Sequence, residues 1–238
     1  MQLFYYSEID ENSKSFFFDK EESQHIVKVL RKKQGDFLYV TNGKGLLFQT
    51  EITFASPKQC EVSILKYERK SPRSYYLHLV VAPTKMNERY EWFLEKAVEI
   101  GVDEITPIIC HHSERTVIKA ERFEKIIHSA MKQSLQCYLP KLNPAISSME
   151  FFKQLNDDSV KFMAHCQEGT KYLFSEKLNP FPKKIMVLIG PEGDFSSEEI
   201  KIALQKNFQP ISLGDNRLRT ETAGIVACDF VAICSNLK

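Results

Sequence analysis

Two short stretches in the last third of the chain carry residue types suited to holding a reactive small molecule. The first, Gly190-Pro191-Glu192-Gly193-Asp194-Phe195, follows an unbroken apolar run at 185–189 that ends in Ile189. The second begins with Leu213-Gly214 and ends in Leu218-Arg219-Thr220-Glu221-Thr222, just before an apolar segment. Glycine lets a ligand approach the backbone closely, and an arginine beside a glutamate offers charge stabilisation and proton handling in one place.

The spacing excludes the common phosphate cradles. Neither GxxxxGK[ST] nor GxGxxG is present, and Glu192 would repel a phosphate. Acids in the loop suit a ligand with cationic or hydrogen-bond-donating character, and S-adenosylmethionine has both features. The adjacent Cys110-His111-His112 lacks a second cluster at ligand spacing, so no metal site is expected.

The run at 185–189 reads as a strand covered on both faces, and Ser196 with Glu199 as the capping box of the next helix. The glycine loop therefore lies at the carboxyl edge of a sheet, where open α/β folds bind ligands. From residue 75 strand and helix patterns alternate: strand at 75–83, helix through 88–101, strands around 104–110 and 160–166, a helix at 121–136, then the motif strands and a closing helix. That alternation predicts a mostly parallel α/β sheet. Trp92 is expected in a core or interface. The final helix carries Ile225, Val226, Val231 and Ile233 around its circumference, which predicts burial in a core or dimer interface.

Residues 68–74, ERKSPRS, read as a linker between domains at 1–70 and 75–238. In the first domain Asn42-Gly43 between two β-rich runs is a hairpin signal, and the half reads as a small β-sheet or barrel. A helix is expected from about residue 20 to Gly35, with Ile26, Val27 and Leu30 on its apolar side. Lys28, Arg31 and Lys32 would then share one exposed face, as either a solvated helix end or a phosphate-contacting patch.

Composition bounds the remainder. With 32 Lys plus Arg against 31 Asp plus Glu among 238 residues, a nucleic-acid partner would have to be met by a local patch. The six cysteines form no CxxC pair and the opening segment has no signal-peptide pattern, so reduced thiols and a cytoplasmic location are expected. No apolar run approaches the roughly 18 residues of a membrane span.

The paired loops, together with EWFLEKAVEIGVDEITPI, SER at 113–115, AMKQS at 130–134 and HIVKVLRKKQGD, resemble the SPOUT methyltransferases. More narrowly, the chain is similar to the ribosomal RNA small subunit methyltransferase E family across nearly its whole length. The resemblance implies a PUA-like RNA-binding barrel before an α/β domain with a carboxyl-terminal trefoil knot. It further implies a homodimer that methylates N3 of one uridine in small-subunit (16S) ribosomal RNA, using S-adenosylmethionine. Carried over, His165, Ile189, Gly190, Pro191, Glu192 and Gly193 contact the donor from the first loops. Leu213, Gly214, Leu218 and Thr222 contact it from the second, while Arg219 and Glu221 act in catalysis. Lys28, Arg31, Lys32 and Arg115 are RNA-contact candidates, Arg115 also having ion-pair partners in Glu114 and Glu121. One departure is that relatives follow AMKQS with Gly-Arg, where this chain has Leu135-Gln136. Two alternatives are a catalytically silent RNA-binding protein of the same fold and a nucleotide-dependent enzyme; the first predicts no donor affinity, the second ATP or NAD binding.

Overall fold

Short β-rich segments separated by Gly, Asn and Pro build the amino-terminal part of the molecule, whose computed structural model describes residues 2–236. Its elements are β1 (Leu3–Tyr5), β2 (Ser15–Phe17), α1 (Lys20–Gln24), β3 (Phe37–Thr41), β4 (Leu46–Phe54) and β5 (Glu61–Arg69). They form a sheet in the order β1-β3-β4-β5-β2, antiparallel except for β1 against β3. The expected hairpin joins β3 to β4, and Asn42 shapes it: its Oδ1 accepts the amides of Lys44 and Leu46, at 2.9 and 3.2 Å. Phe4, Phe16, Phe18, Ile26, Val40, Phe48, Ile52 and Val62 close the core beneath.

The helix expected to reach Gly35 ends earlier. α1 passes into a π-helical turn over His25–Val29, and Arg31 is left-handed at φ 56°. A π turn accommodates an extra residue without breaking the apolar pattern, so periodicity carried no trace of it. As a result Lys28, Arg31 and Lys32 do not share a helix face. Lys28 sits in the π turn, and the Lys32 amide folds back onto the Ile26 carbonyl at 3.0 Å.

The remaining elements are β6 (Tyr76–Val81), α2 (Asn87–Ile100), β7 (Glu104–Ile109), α3 (Ala120–Gln133), β8 (Lys141–Leu142), β9 (Ile146–Ser147), α4 (Ser148–Gln154), β10 (Val160–Ala164), β11 (Tyr172–Leu173), α5 (Phe174–Lys177), β12 (Lys184–Ile189), α6 (Ser197–Gln205), β13 (Phe208–Ser212) and α7 (Thr220–Asn236). All strands pair in parallel in the order β11-β13-β10-β12-β6-β7-β8, with β9 beside β7. The central strand β12 is buried from Ile185 onward, as its unbroken apolar run required. α7 packs on α2, where the Cys228 thiol donates to the Ala97 carbonyl at 3.6 Å. Val231 is buried, Ile225 and Val226 are partly buried, and Ile233 is exposed. Trp92 is not a core residue: it lies 47% exposed on α2.

The chain divides into two compact units, one of Met1–Pro72 with Met131–Leu139 and one of Arg73–Ala130 with Pro140–Lys238. The return of Met131–Leu139 to the first unit has no counterpart in a linear division near residue 70. Within that unit the Cys137 carbonyl accepts the Gly45 amide at 2.8 Å and the Thr41 hydroxyl at 3.3 Å, and Cys137 packs with Leu3 and Leu47. α3 closes in a double hydrogen-bonded cap, Gln136 amide to Met131 carbonyl and Leu135 amide to Lys132 carbonyl. This geometry puts Leu135 in the left-handed region at φ 57°, a position glycine adopts without strain. The Leu135-Gln136 departure noted in the sequence thus falls on a residue whose backbone calls for glycine.

Candidate functional site

Parallel strands send their loops out at one edge, and three of those loops enclose a cavity of about 600 Å³ in the second unit. Its walls are Ala164–Cys166 after β10, residues 189–194 after β12 except Gly193, and residues 211–220 after β13, with Lys171 and Ala223. The motif loops are therefore brought together, as are His165, Ile189, Gly190, Pro191, Glu192, Leu213, Gly214, Leu218 and Arg219.

The loop after β12 is braced from several sides. The Lys85 amide donates to Glu192 Oε1 at 3.0 Å, and the Thr220 hydroxyl donates to the Gly190 carbonyl at 3.0 Å. Asp194 accepts the Cys166 and Phe195 amides, at 2.8 and 2.9 Å. Both acids thus engage backbone amides, where the sequence suggested they face a cationic ligand. The two glycines are explained chiefly by packing. A Cβ on Gly190 would lie 2.8 Å from the buried Phe195 ring, and one on Gly193 2.8 Å from the His112 side chain. The capping box forms as expected, with Glu199 buried and also accepting the Ser148 hydroxyl at 2.6 Å.

The loop after β13 is different in kind. Residues 214–217 and Arg219 are exposed, and the Arg219 guanidinium has no hydrogen-bond or ion-pair partner among the described residues. Arg217 reaches the Glu192 carbonyl at 3.3 Å.

His165 stands between these extremes. The residue forms part of the cavity wall, while its Nδ1 is buried and makes no hydrogen bond among the described residues. Burial first, and the nearby Lys171 charge second, push its pKa below the ordinary value, so the ring is neutral at pH 7. A neutral ring on the wall can lie against a ligand without presenting a charge to it.

Three assigned residues lie off the walls: Gly193, Thr222 and Glu221. Glu221 was expected to act in catalysis, by accepting a proton or by fixing Arg219, and residues two apart at a helix start point to different sides. Glu221 is buried against α2, its Oε1 3.7 Å from Arg89 Nε and its Oε2 unpartnered. Arg115, an RNA-contact candidate, makes neither of the alternative ion pairs with Glu114 and Glu121. It donates to the Thr84 and Lys85 carbonyls at 3.1 and 3.0 Å, steadying the loop whose Lys85 amide holds Glu192. Lys28, Arg31 and Lys32 belong to the first unit. Lys171, Cys166, Arg217 and Thr220 were missed as wall residues, although Arg217 and Thr220 lie inside the second quoted stretch. Among the described residues no group of three or more His, Cys, Asp or Glu gathers as a metal site, and no helix is long and apolar enough to cross a membrane.

Residues 70–232 match the family described as an RNA methyltransferase domain, and residues 18–65 that described as an RNA methyltransferase PUA domain. The ribosomal RNA small subunit methyltransferase E of Buchnera aphidicola subsp. Acyrthosiphon pisum is 31% identical over 231 residues, covering 93% of this chain and 89% of its own. That of Rickettsia conorii is 28% identical over 228 residues, covering 95% and 92%. A solved probable rRNA-methyltransferase from Porphyromonas gingivalis superposes with a TM-score of 0.90 at 40% identity, covering 100% of this chain and 99% of its own. A ribosomal RNA small subunit methyltransferase E from Neisseria gonorrhoeae, solved bound to S-adenosyl methionine, superposes with a TM-score of 0.83 at 26% identity, covering 96% and 95%.

Proposed function

The chain belongs to the ribosomal RNA small subunit methyltransferase E family, and from that premise we propose that it transfers a methyl group from S-adenosylmethionine to N3 of one uridine in 16S ribosomal RNA. The observation that carries the reading is the cavity at the three strand ends, whose size suits a ligand of this class. The His165 ring on its wall, held neutral by burial, suits contact with a bound ligand. Residues 189–192 and Leu213, Gly214 and Leu218 would hold the donor, with Gly193 and Thr222 supporting their loops from outside the wall.

When bound, the donor supplies an electrophilic methyl on a sulfonium. The chain's own part is to orient the uridine, let its N3 proton leave, and stabilise the negative charge that develops on the ring. Arg219, exposed beside the cavity and free of internal partners, suits that last role. Glu221, buried against Arg89, instead fixes the first turn of α7.

In the same reading Lys28, Arg31 and Lys32 contact RNA phosphates from the PUA domain, and Arg115 acts by holding the Glu192 loop. Phosphate contacts of this sort give affinity and register. The proposal extends to a homodimer, the exposed Trp92 and Ile233 being apolar surface that a second copy would cover. It also extends to a knotted path in which the segment leading to α7 threads a loop of the sheet.

Titration of the purified protein with S-adenosylmethionine, followed by mass mapping of small-subunit RNA after incubation, tests the reading. Micromolar donor binding and one new N3-methylated uridine are expected; folded protein that does neither would remove it. Neutralising Lys28, Arg31 and Lys32 together should lower RNA affinity and flatten its salt dependence in the same assay.

A further inference from the structure

Asp194 occupies a conformation that few side chains tolerate, at φ 62°, and every polar atom it presents is engaged. Its amide donates to the Pro191 carbonyl at 2.9 Å, closing the turn after β12. Its carbonyl accepts from His112 Nδ1 at 3.1 Å. Its carboxylate reaches across the cavity wall: Oδ2 accepts the Cys166 amide at 2.8 Å, while Oδ1 accepts the Phe195 amide at 2.9 Å. Cys166 directly follows His165, the wall residue whose Nδ1 is buried without a partner.

We propose that Asp194 is a positioning residue for donor binding: its carboxylate ties the loop after β10 to the loop after β12 and so holds the His165 ring in place on the cavity wall. The same two loops are also joined where Gln167 Nε2 donates to the Phe195 carbonyl at 2.9 Å, but the Asp194 carboxylate is the tie next to His165, and without it the cavity would widen there. The left-handed backbone aims the carboxylate at the neighbouring loop. Asparagine shares this conformational tolerance, and glycine adopts it freely, so both variants preserve the turn.

The proposal rests on the cavity being the methyl-donor site. Its test compares the wild type with Asp194→Asn and Asp194→Gly, measuring S-adenosylmethionine affinity by calorimetry, KM for donor and for RNA separately, and the His165 ring resonances of the ligand-free proteins. Asp194→Gly should bind the donor at least about tenfold more weakly, with KM for RNA unchanged and the His165 resonances shifted or broadened. Asp194→Asn, whose amide oxygen keeps one of the two acceptors, should recover most of the loss. Wild-type donor affinity in the glycine variant would overturn the proposal, as would equal losses in both variants. Should the wild type itself bind no donor, the functional reading fails and the resonances alone decide: an undisturbed His165 in Asp194→Gly overturns the coupling, and a disturbed one supports it.

Discussion

The loops after β12 and β13 face the same cavity but are held in opposite ways. The first is anchored by Lys85, Thr220, the Asp194 carboxylate and the Phe195 ring, all packed or hydrogen-bonded within the protein. The second presents an exposed stretch at 214–217 and an Arg219 with no internal partner. The contrast teaches that sequence motifs of similar composition can divide the labour of one site. One loop sets the shape before anything binds, and the other keeps its charged group uncommitted for whatever arrives.

If that division is correct, truncating the free loop should cost chemistry and leave the fold intact. Arg219→Ala is expected to lower kcat by about a hundredfold, in line with removing one charge-stabilising donor. Donor affinity should stay within several-fold, and the melting temperature should hardly move. A loss of donor binding instead would place Arg219 in the donor pocket and blur the comparison.

The braced loop should respond in the reverse order. Gly190→Ala forces a Cβ against the buried Phe195 ring, an overpacking that costs about 1–3 kcal/mol, measurable by thermal or urea unfolding. Unchanged stability in that variant would show that the loop yields more easily than its contacts imply.

The smallest effect falls on His165, which borders the braced side with Lys171 and Asp194 as its charged neighbours. Its folded-state pKa is depressed below the ordinary 6.5, so the stability of the neutral form is present above that value and is lost as pH falls through the folded pKa. A ligand packed against the ring removes more of its remaining contact with water and deepens the depression. Donor affinity should therefore fall by several-fold between about pH 7.5 and 5.5, and His165→Asn should flatten the profile.

Much of this arrangement is legible in the sequence wherever the signal is local. The capping box of Ser196 and Glu199, the apolar run of β12, the Asn42 hairpin and the two glycine-bearing loops all depend on residues a few positions apart. What escaped depends on pairs distant in the chain. Asp194 reaches Cys166 across 28 positions, and Glu221 finds Arg89 rather than its sequence neighbour Arg219. The early end of α1 escaped for another reason, because a π turn lets the apolar pattern continue through Ile26, Val27 and Leu30 while the backbone changes course.

The return of Met131–Leu139 to the first unit also sets an order of assembly during synthesis. Domains tend to fold as units as they leave the ribosome. Here the amino-terminal sheet lacks the Cys137 carbonyl that accepts from Gly45 and Thr41, and the side chain that packs on Leu3 and Leu47, until residue 139 has emerged. The nascent first unit must wait for almost seventy more residues before it can close. A fragment cut at residue 72 would keep its strands yet carry an open apolar seam.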